Sequence, residues 1–322
     1  MARMIDVAKE AGVSVATVSR VLNGANVRPE ASEAVRRAVE KLGYAPNRAA
    51  RTLRRRTSDV VGLIVADIEN PFFTTFARAV EDKAHEQGLS VVLCNSDEDL
   101  AKESRYLQVA IDSQMAGVIV FPASDTTDLA PLTRRGMAVV AVDRQLPGQY
   151  PSVRFDNKAL GFAATQHLID VGCKRIACVT GPERLSTALN RAVGWQDAMR
   201  AAGLGVDDGM LIHADFRVDG GRHAAGQLLA SANPPDAILV TNNLAGVGVL
   251  RELSARGDAD THVGVIGELP FATSVSAQVQ VTPLPVQDMA EEAWGLLRSH
   301  MANQSVQPTT VIVPAPAPRA LG

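Results

Sequence analysis

The stretch Ile5-Asp6-Val7-Ala8-Lys9-Glu10-Ala11-Gly12-Val13-Ser14-Val15-Ala16-Thr17-Val18-Ser19-Arg20-Val21-Leu22-Asn23 reads as two short helices joined by a glycine turn. Val7, Ala8 and Ala11 recur at helical spacing, Gly12 suits the left-handed residue that closes a helix, and Ser14 is a good N-cap for the next one. Val18, Val21 and Leu22 then face a core. Val15, Ala16, Thr17, Ser19 and Arg20 remain near the outward N-terminal part of a second helix thin enough to enter a major groove. Beyond it, Gly24-Ala25-Asn26 is a turn, and Pro29 opens a third helix with Ala31, Val35, Ala38 and Leu42 on one face. Gly43 ends it.

Charge separates this head from the rest of the chain. The 322 residues carry a formal net charge of -3, but Met1–Ser58 holds 12 Lys+Arg against 5 Asp+Glu, a net of +7, and the remainder holds 20 against 30, a net of -10. A basic head attracts phosphates in a salt-sensitive way, whereas an acidic body is repelled by them. A charge run by itself is as often a solvated face, so it is the helix-turn-helix beside it that gives the charge its meaning. Between head and body, Pro46 to Ser58 is helix-permissive without a continuous apolar face, which predicts a conditional hinge that gains order from partners.

From Val60 the texture changes to short apolar runs alternating with helical patterns. Strands are expected over 60–65, 91–94, 117–121 and 139–142, and again over 175–179, 210–213, 237–240 and 263–266. Helices are expected over 72–87, 101–113, 129–135, 160–171, 191–201, 220–229, 244–256 and 286–301. This rhythm predicts two α/β lobes with parallel sheets, with 309–313 returning to the first lobe and Pro314, Pro316 and Pro318 marking a frayed tail. The expected domains are a helix-turn-helix unit over 1–45, a hinge over 46–58 and a body over 59–322. In the body, the first lobe takes 59–157 plus 285–313 and the second 158–284.

Cys94, Cys173 and Cys178 lack CxxC spacing and sit among apolar residues, which argues against a disulfide framework or a zinc site. His85, His167, His213, His223, His262 and His300 are scattered without ligand spacing, and no nucleophile triad or phosphate-cradling glycine loop is present. No enzyme, metal or cofactor is expected. No run approaches the ~20 apolar residues of a membrane span and no apolar signal segment leads the chain, so the expected location is the cytoplasm.

Three motifs carry a resemblance over nearly the full length. They are Ala11 to Val21, then Gly43-Tyr44-Ala45-Pro46-Asn47-Arg48-Ala49-Ala50 leading to Leu53, then Val61-Gly62-Leu63-Ile64-Val65 followed by Asn70-Pro71-Phe72-Phe73. The chain resembles the lactose/galactose repressor (LacI/GalR) family of bacterial transcription factors, whose body is similar to periplasmic sugar-binding proteins. The resemblance implies a homodimer that places two heads on a pseudo-palindromic double-stranded operator. It further implies that Val15, Ala16 and Arg20 face base edges, with Arg20 able to pair bidentately with a guanine and the two apolar residues able only to touch a thymine methyl. Val15 and Ala16 also fit ordinary helix filler. Thr17 and Ser19 are assigned to phosphates, with Asn23, Asn47 and Ala50 added to the DNA-binding set. Leu53 from each subunit is expected as an apolar minor-groove wedge. Without a DNA motif nearby it would read as a core leucine, but its neighbours Arg51, Arg54, Arg55 and Arg56 are too polar for a core.

Ligands of open α/β sheets collect at the carboxyl ends of strands. Phe72 and Phe73, Asp143 and Arg144, and Asn242 fall at such ends, where aromatic faces and charged or amide groups suit a hydroxylated ring. By resemblance Arg191 and Phe216 join them, and the set looks like the pentose-binding version of this body. Two departures stand out. An acidic residue usual in the family's late strand is Gly267 here, with Glu268 as the available substitute, and a usual Gln is Leu284. The expected effector is therefore a pentose, a ribose-like sugar or a nucleoside. The expected function is a repressor controlled by that effector, against the alternative of a cytoplasmic sugar-binding protein or enzyme on the same two-lobed fold.

Overall fold

Helix α1 (Met4–Ala11) ends where Gly12 turns left-handed at φ 66° and its N–H reaches back to the Ala8 and Lys9 carbonyls. Helix α2 (Val15–Leu22) starts with the Ser14 hydroxyl accepting the Thr17 N–H at 3.1 Å, the expected N-cap. Pro29 opens α3 (Pro29–Leu42) and Gly43 closes it at φ 55°. Val7, Ala8, Val18, Val35 and Ala38 form the buried centre of this three-helix unit, with Val21, Leu22 and Leu42 packed around them. In this computed structural model the described residues are 2–22, 25–44, 58–207, 209–269, 278–302 and 307–321. The contacts divide the chain into Met1–Ser58 and Asp59–Gly322.

The second unit contains two six-stranded sheets. The first is built from β1 (Val60–Val65), β2 (Ser90–Asn95), β3 (Gly117–Val120), β4 (Ala138–Val142), β5 (Ser152–Phe155) and β11 (Thr310–Val313), in the order β11-β5-β4-β3-β1-β2 with every pairing parallel. The second is built from β6 (Ile176–Thr180), β7 (Leu211–His213), β8 (Ala237–Val240), β9 (His262–Ile266), β10 (Val279–Thr282) and β12 (Arg319–Ala320), in the order β12-β10-β9-β8-β6-β7. Helices cover the sheets, so central strands such as β4 and β8 are buried along their whole length.

The helices of this unit are α4 (Pro71–Glu86), α5 (Leu100–Asp112), α6 (Ala130–Thr133), α7 (Asn157–Asp170), α8 (Ser186–Ala201), α9 (Val218–Leu229), α10 (Asn243–Arg256) and α11 (Val286–Ala302). The chain passes between the sheets three times: after β5, after β10 and after β11. On the second passage α11 returns to the first sheet. Leu297 lies so close over Gly117 that a Cβ there would stand 2.9 Å from its Cδ1. In the second lobe, α7 and α8 touch backbone to backbone, since a Cβ on Gly161 would fall 2.0 Å from the Arg191 carbonyl oxygen and one on Gly194 would fall 2.1 Å from that of Lys158. That close approach brings Asn157 and Arg191 to one place.

Three short strands escape the sequence reading: β5, β10 and β12. The last corrects the expectation of a frayed tail, because Arg319 pairs with Val281 and Ala320 with Gln280 in antiparallel register. Three prolines punctuate the tail without preventing its last residues from adding an edge strand to the second sheet. The expected hinge, with Asn47, Ala50 and Leu53, and the head residue Asn23 lie outside the described residues.

Candidate functional site

On the head, α2 buries Val18 and turns Val15, Ala16 and Arg20 outward, with Thr17 and Ser19 half-buried. Val15 is 42% exposed, unusual for a β-branched apolar residue on a helix that has a core to reach. The Thr17 hydroxyl lies 2.9 Å from the Ser14 hydroxyl, which fixes its position at the start of the helix.

In the body, a cavity of about 600 Å³ opens between the carboxyl ends of the two sets of strands. All eight residues expected at the effector site line it: Phe72, Phe73, Asp143, Arg144, Arg191, Phe216, Asn242 and Glu268. Most are placed by the end of a strand or the start of a helix, and Arg191 by the close approach of α7 to α8. Asn70 caps α4 by accepting the Phe72 N–H at 2.9 Å. This brings Phe72 and Phe73 against Phe121, at ring separations of 5.9 and 5.0 Å with edge-to-face geometry. Phe121, in turn, stands 4.8 Å from the fully buried Phe76, so the aromatic wall is rooted in the core. Asn242 caps α10 through Oδ1 to the Ala245 N–H at 3.0 Å.

Backbone strain concentrates here. Of the five non-glycine residues with positive φ among the described residues, Glu98 (59°), Asp143 (72°) and Phe216 (62°) all line the cavity. Such conformations persist where the surroundings over-determine them, and they cluster at binding sites. For Phe216 the surrounding piece is Gly181, where a Cβ would stand 2.0 Å from the ring. Asp143 has a half-buried carboxylate with no protein hydrogen-bond partner among the described residues.

The two buried arginines are held differently. Arg144 donates through Nη2 to Glu98 Oε1 at 2.7 Å and through Nη1 to the Pro122 carbonyl. Both amino groups thus bond to the protein while the residue lines the cavity. Arg191 donates through Nε to Asn157 Oδ1 and through Nη1 to the Thr241 carbonyl, each at 2.7 Å. Its Nη2 has no hydrogen-bond partner among the described residues. Glu268, the available substitute acid, is engaged by Arg319 at 3.0 Å on the tail strand.

Several lining residues were missed, among them Asp67, Glu98, Asp215, Arg217 and Asn243. Asn243 and Asn70 join the lobes by an Nδ2 to Oδ1 bond of 3.0 Å. Next to the cavity, Asp125 of the first lobe accepts the Ser186 N–H at 2.7 Å and the Ser186 hydroxyl at 2.9 Å at the N-terminus of α8. A carboxylate there is favoured by the unsatisfied N–H groups of the first helical turn. The Asn242-Asn243 doublet at a strand end was a signal that could have found Asn243. Asp125 offered none.

Among the described residues no helix is long and apolar enough to cross a membrane, and no cluster of His, Cys, Asp and Glu is placed to hold a metal ion. Residues 58–318 match the family described as periplasmic binding proteins and sugar binding domain of LacI family, and residues 3–47 match bacterial regulatory proteins, lacI family. The chain is 35% identical over 318 residues to the ribose operon repressor of Bacillus subtilis (strain 168), covering 98% of this chain and 96% of that one. It is 34% identical over 318 residues to catabolite control protein A of Priestia megaterium, covering 96% and 95%. A lac repressor dimer bound to operator and the anti-inducer ONPF shares the fold, with a TM-score of 0.83 at 21% identity over 99% of this chain and 98% of that one. The protein is thus a DNA-binding transcriptional regulator and not an enzyme. With both halves matched, the chain belongs to the LacI family of bacterial regulatory proteins.

Proposed function

We propose that this protein is a homodimeric repressor that binds a pseudo-palindromic operator and is controlled by a pentose-type sugar or a nucleoside held between its two lobes. The observation that carries the reading is the cavity, where every expected effector residue converges and where three strained backbone positions meet. An effector that contacts both lobes favours the arrangement in which they are closed, and a difference in operator affinity between the two arrangements makes it a regulator. Domain roles follow: 1–45 reads DNA, 46–58 is the hinge, and 59–322 binds effector and partner.

A second copy is supported by the edge of the first sheet. Strand β2 is the terminal strand there, and it exposes Val92 and Leu93, with Leu100 and Val109 exposed on the following helix. An apolar edge of this kind invites pairing unless it is covered, and a two-fold dimer covers it with the same face of its partner. The site of action is the cytoplasm, at operators on the nucleoid.

Fluorescence anisotropy with the protein's own promoter region tests the reading. Salt-sensitive, sequence-selective binding that changes on adding effector is the expected result, and Arg20→Ala should weaken it by about 1–3 kcal/mol while relaxing preference at one base pair. Leu53→Ala should weaken operator binding and leave dimerisation intact. Sequence-indifferent binding by the unaltered protein would end the proposal.

A further inference from the structure

The strand ends of the second sheet divide by polarity. Across β8, β6 and β7 the cavity meets Asn242, the Arg191 guanidinium on the Thr241 carbonyl, and Phe216 over Gly181. Across β9 and β10 it meets Ile266, Gly267, Leu284 and Pro285, with Glu268, Gln287 and Asp288 beside them. These two groups are adjacent, because Val240 of β8 is in register with Val265 of β9, and Ile266 of β9 with Thr282 of β10. One side of the second-lobe wall thus offers hydrogen bonds and an aromatic face, and the other offers the half-buried Leu284 and Pro285 with Glu268 and Asp288 at its rim.

Charge narrows the ligand further. Six carboxylates line the cavity against three guanidinium groups. Arg144 donates to Glu98 and Pro122, and Arg217 is half-exposed 3.8 Å from Asp67 and Glu69, so Arg191 is the buried guanidinium with an amino group free among the described residues. Glu98 Oε2 is buried with no partner among the described residues, an acceptor open to a donor-bearing ligand. A phosphate would bring about -1.5 to -2 charge into this acceptor-rich field. The volume of about 600 Å³ lies well within the roughly 300–1,000 Å³ of clefts that enclose drug-sized ligands, more than one sugar ring requires.

We infer that the cavity selects an uncharged nucleoside, with its pentose hydroxyls at Asp143, Arg191 and Asn242 and its planar base against Ile266 and Leu284. The inference rests on the cavity being the effector site. It ranks the ligands: nucleoside over free pentose, and either over its phosphorylated form. Leu284 is the specificity residue, because an apolar side chain leaves a sugar hydroxyl unpaired where it accepts the face of a base.

Calorimetric titration of the full-length protein with uridine, adenosine, ribose, ribose 5-phosphate and adenosine monophosphate tests this ranking. At least one nucleoside should bind about tenfold or more tighter than ribose, and adenosine monophosphate about 100-fold or more weaker than adenosine if adenosine binds. Leu284→Gln should shrink the gap between nucleoside and ribose, and Asp143→Ala should weaken every ligand. Ribose binding as tightly as both nucleosides, or either phosphorylated probe binding as tightly as its neutral parent, overturns the inference. If that binding still depends on Asp143, the cavity remains the effector site. Heat from none of the five probes, or binding indifferent to Asp143→Ala, removes the site reading and the inference together. The ranking in the unaltered protein decides the question even if Leu284→Gln fails to fold.

Discussion

Arg144 on the first-lobe side of the cavity and Arg191 on the second-lobe side are both buried, at 4% and 7% exposure, but they stand in opposite electrostatic settings. Burial pushes the Arg144 guanidinium toward losing its proton, and the Glu98 carboxylate at 2.7 Å more than reverses this, holding it above the ordinary arginine range. Burial also pushes Arg191 down. Asp143 opposes that shift while Arg144 adds to it, and the group stays below its ordinary range. One arginine is neutralised by its own lobe; the other rests on neutral oxygens with charge to spare. The first-lobe guanidinium is closed into a framework by its own lobe, and the second-lobe guanidinium is the one a ligand can still engage.

Breaking the framework should cost most. Arg144→Met leaves Glu98 and the Pro122 carbonyl without their buried partner, and removing one member of such a pair typically costs about 3–5 kcal/mol. Urea unfolding should show a loss of that order. A loss under about 1 kcal/mol would mean that the carboxylate finds water and that the two arginines do not differ as described. Arg191→Met removes hydrogen bonds to Asn157 and Thr241 but also relieves a buried charge, so its stability loss should be smaller, about 1–3 kcal/mol. Effector affinity should reverse the order, falling further in Arg191→Met than in Arg144→Met. Titration of the two variants side by side checks the crossing.

How far this difference was legible beforehand depends on what enforced each feature. Strands β1 and β8 were read to the residue, because burial on both faces demands an unbroken apolar run. Strands β5 and β10 have four residues each with a polar residue inside, and β12 has only two, so pairing with a neighbour defines them more than composition does. Phe72, Asp143 and Asn242 were found by the rule that strand ends gather ligands. The same rule placed Arg144 at the cavity but missed its partner Glu98, which lies 46 residues earlier in the chain and is invisible to local spacing. Asp125 was missed for the same reason, its partner Ser186 being 61 residues away.

Two smaller effects sharpen the contrast. Gly181→Ala sets a Cβ 2.0 Å from Cζ at the tip of the Phe216 ring, which must swing aside within the cavity it lines. Stability should change little while effector affinity falls about tenfold, roughly 1.4 kcal/mol; equal affinity would show that this ring does not touch the ligand. On the framework side, Glu103 is 1% exposed and accepts the Ala123 N–H at 2.5 Å and the Thr127 hydroxyl at 2.7 Å, bracing the loop that carries Asp125. Burial raises its pKa, with those two bonds opposing. Between its unfolded and raised folded values the native protein holds the extra proton. Its contribution is therefore present at low pH and lost as pH rises through the folded value, at no more than about 1.4 kcal/mol per pH unit. Glu103→Gln should remove that slope from the difference in unfolding free energy between variant and parent, measured from neutral pH down to the ordinary glutamate range. Parallel curves would show that Glu103 does not titrate on unfolding there.

The smallest effect belongs to the Arg319–Glu268 pair, which sits on the second-lobe side yet is built like the framework side, a guanidinium against a carboxylate. Its side chains are 58% and 45% exposed, so solvent screens the pair and Arg319→Ala should cost less than about 1 kcal/mol. The backbone pairing of Arg319 with Val281 keeps β12 in place without the side chain. What the variant changes is the freedom of Glu268, which lines the cavity and becomes available to a ligand hydroxyl once Arg319 is gone. Affinity for free ribose should then rise slightly while stability holds. A large loss of stability would instead mean that charge closes both sides of the cavity, and the difference between the lobes would reduce to Arg191 alone.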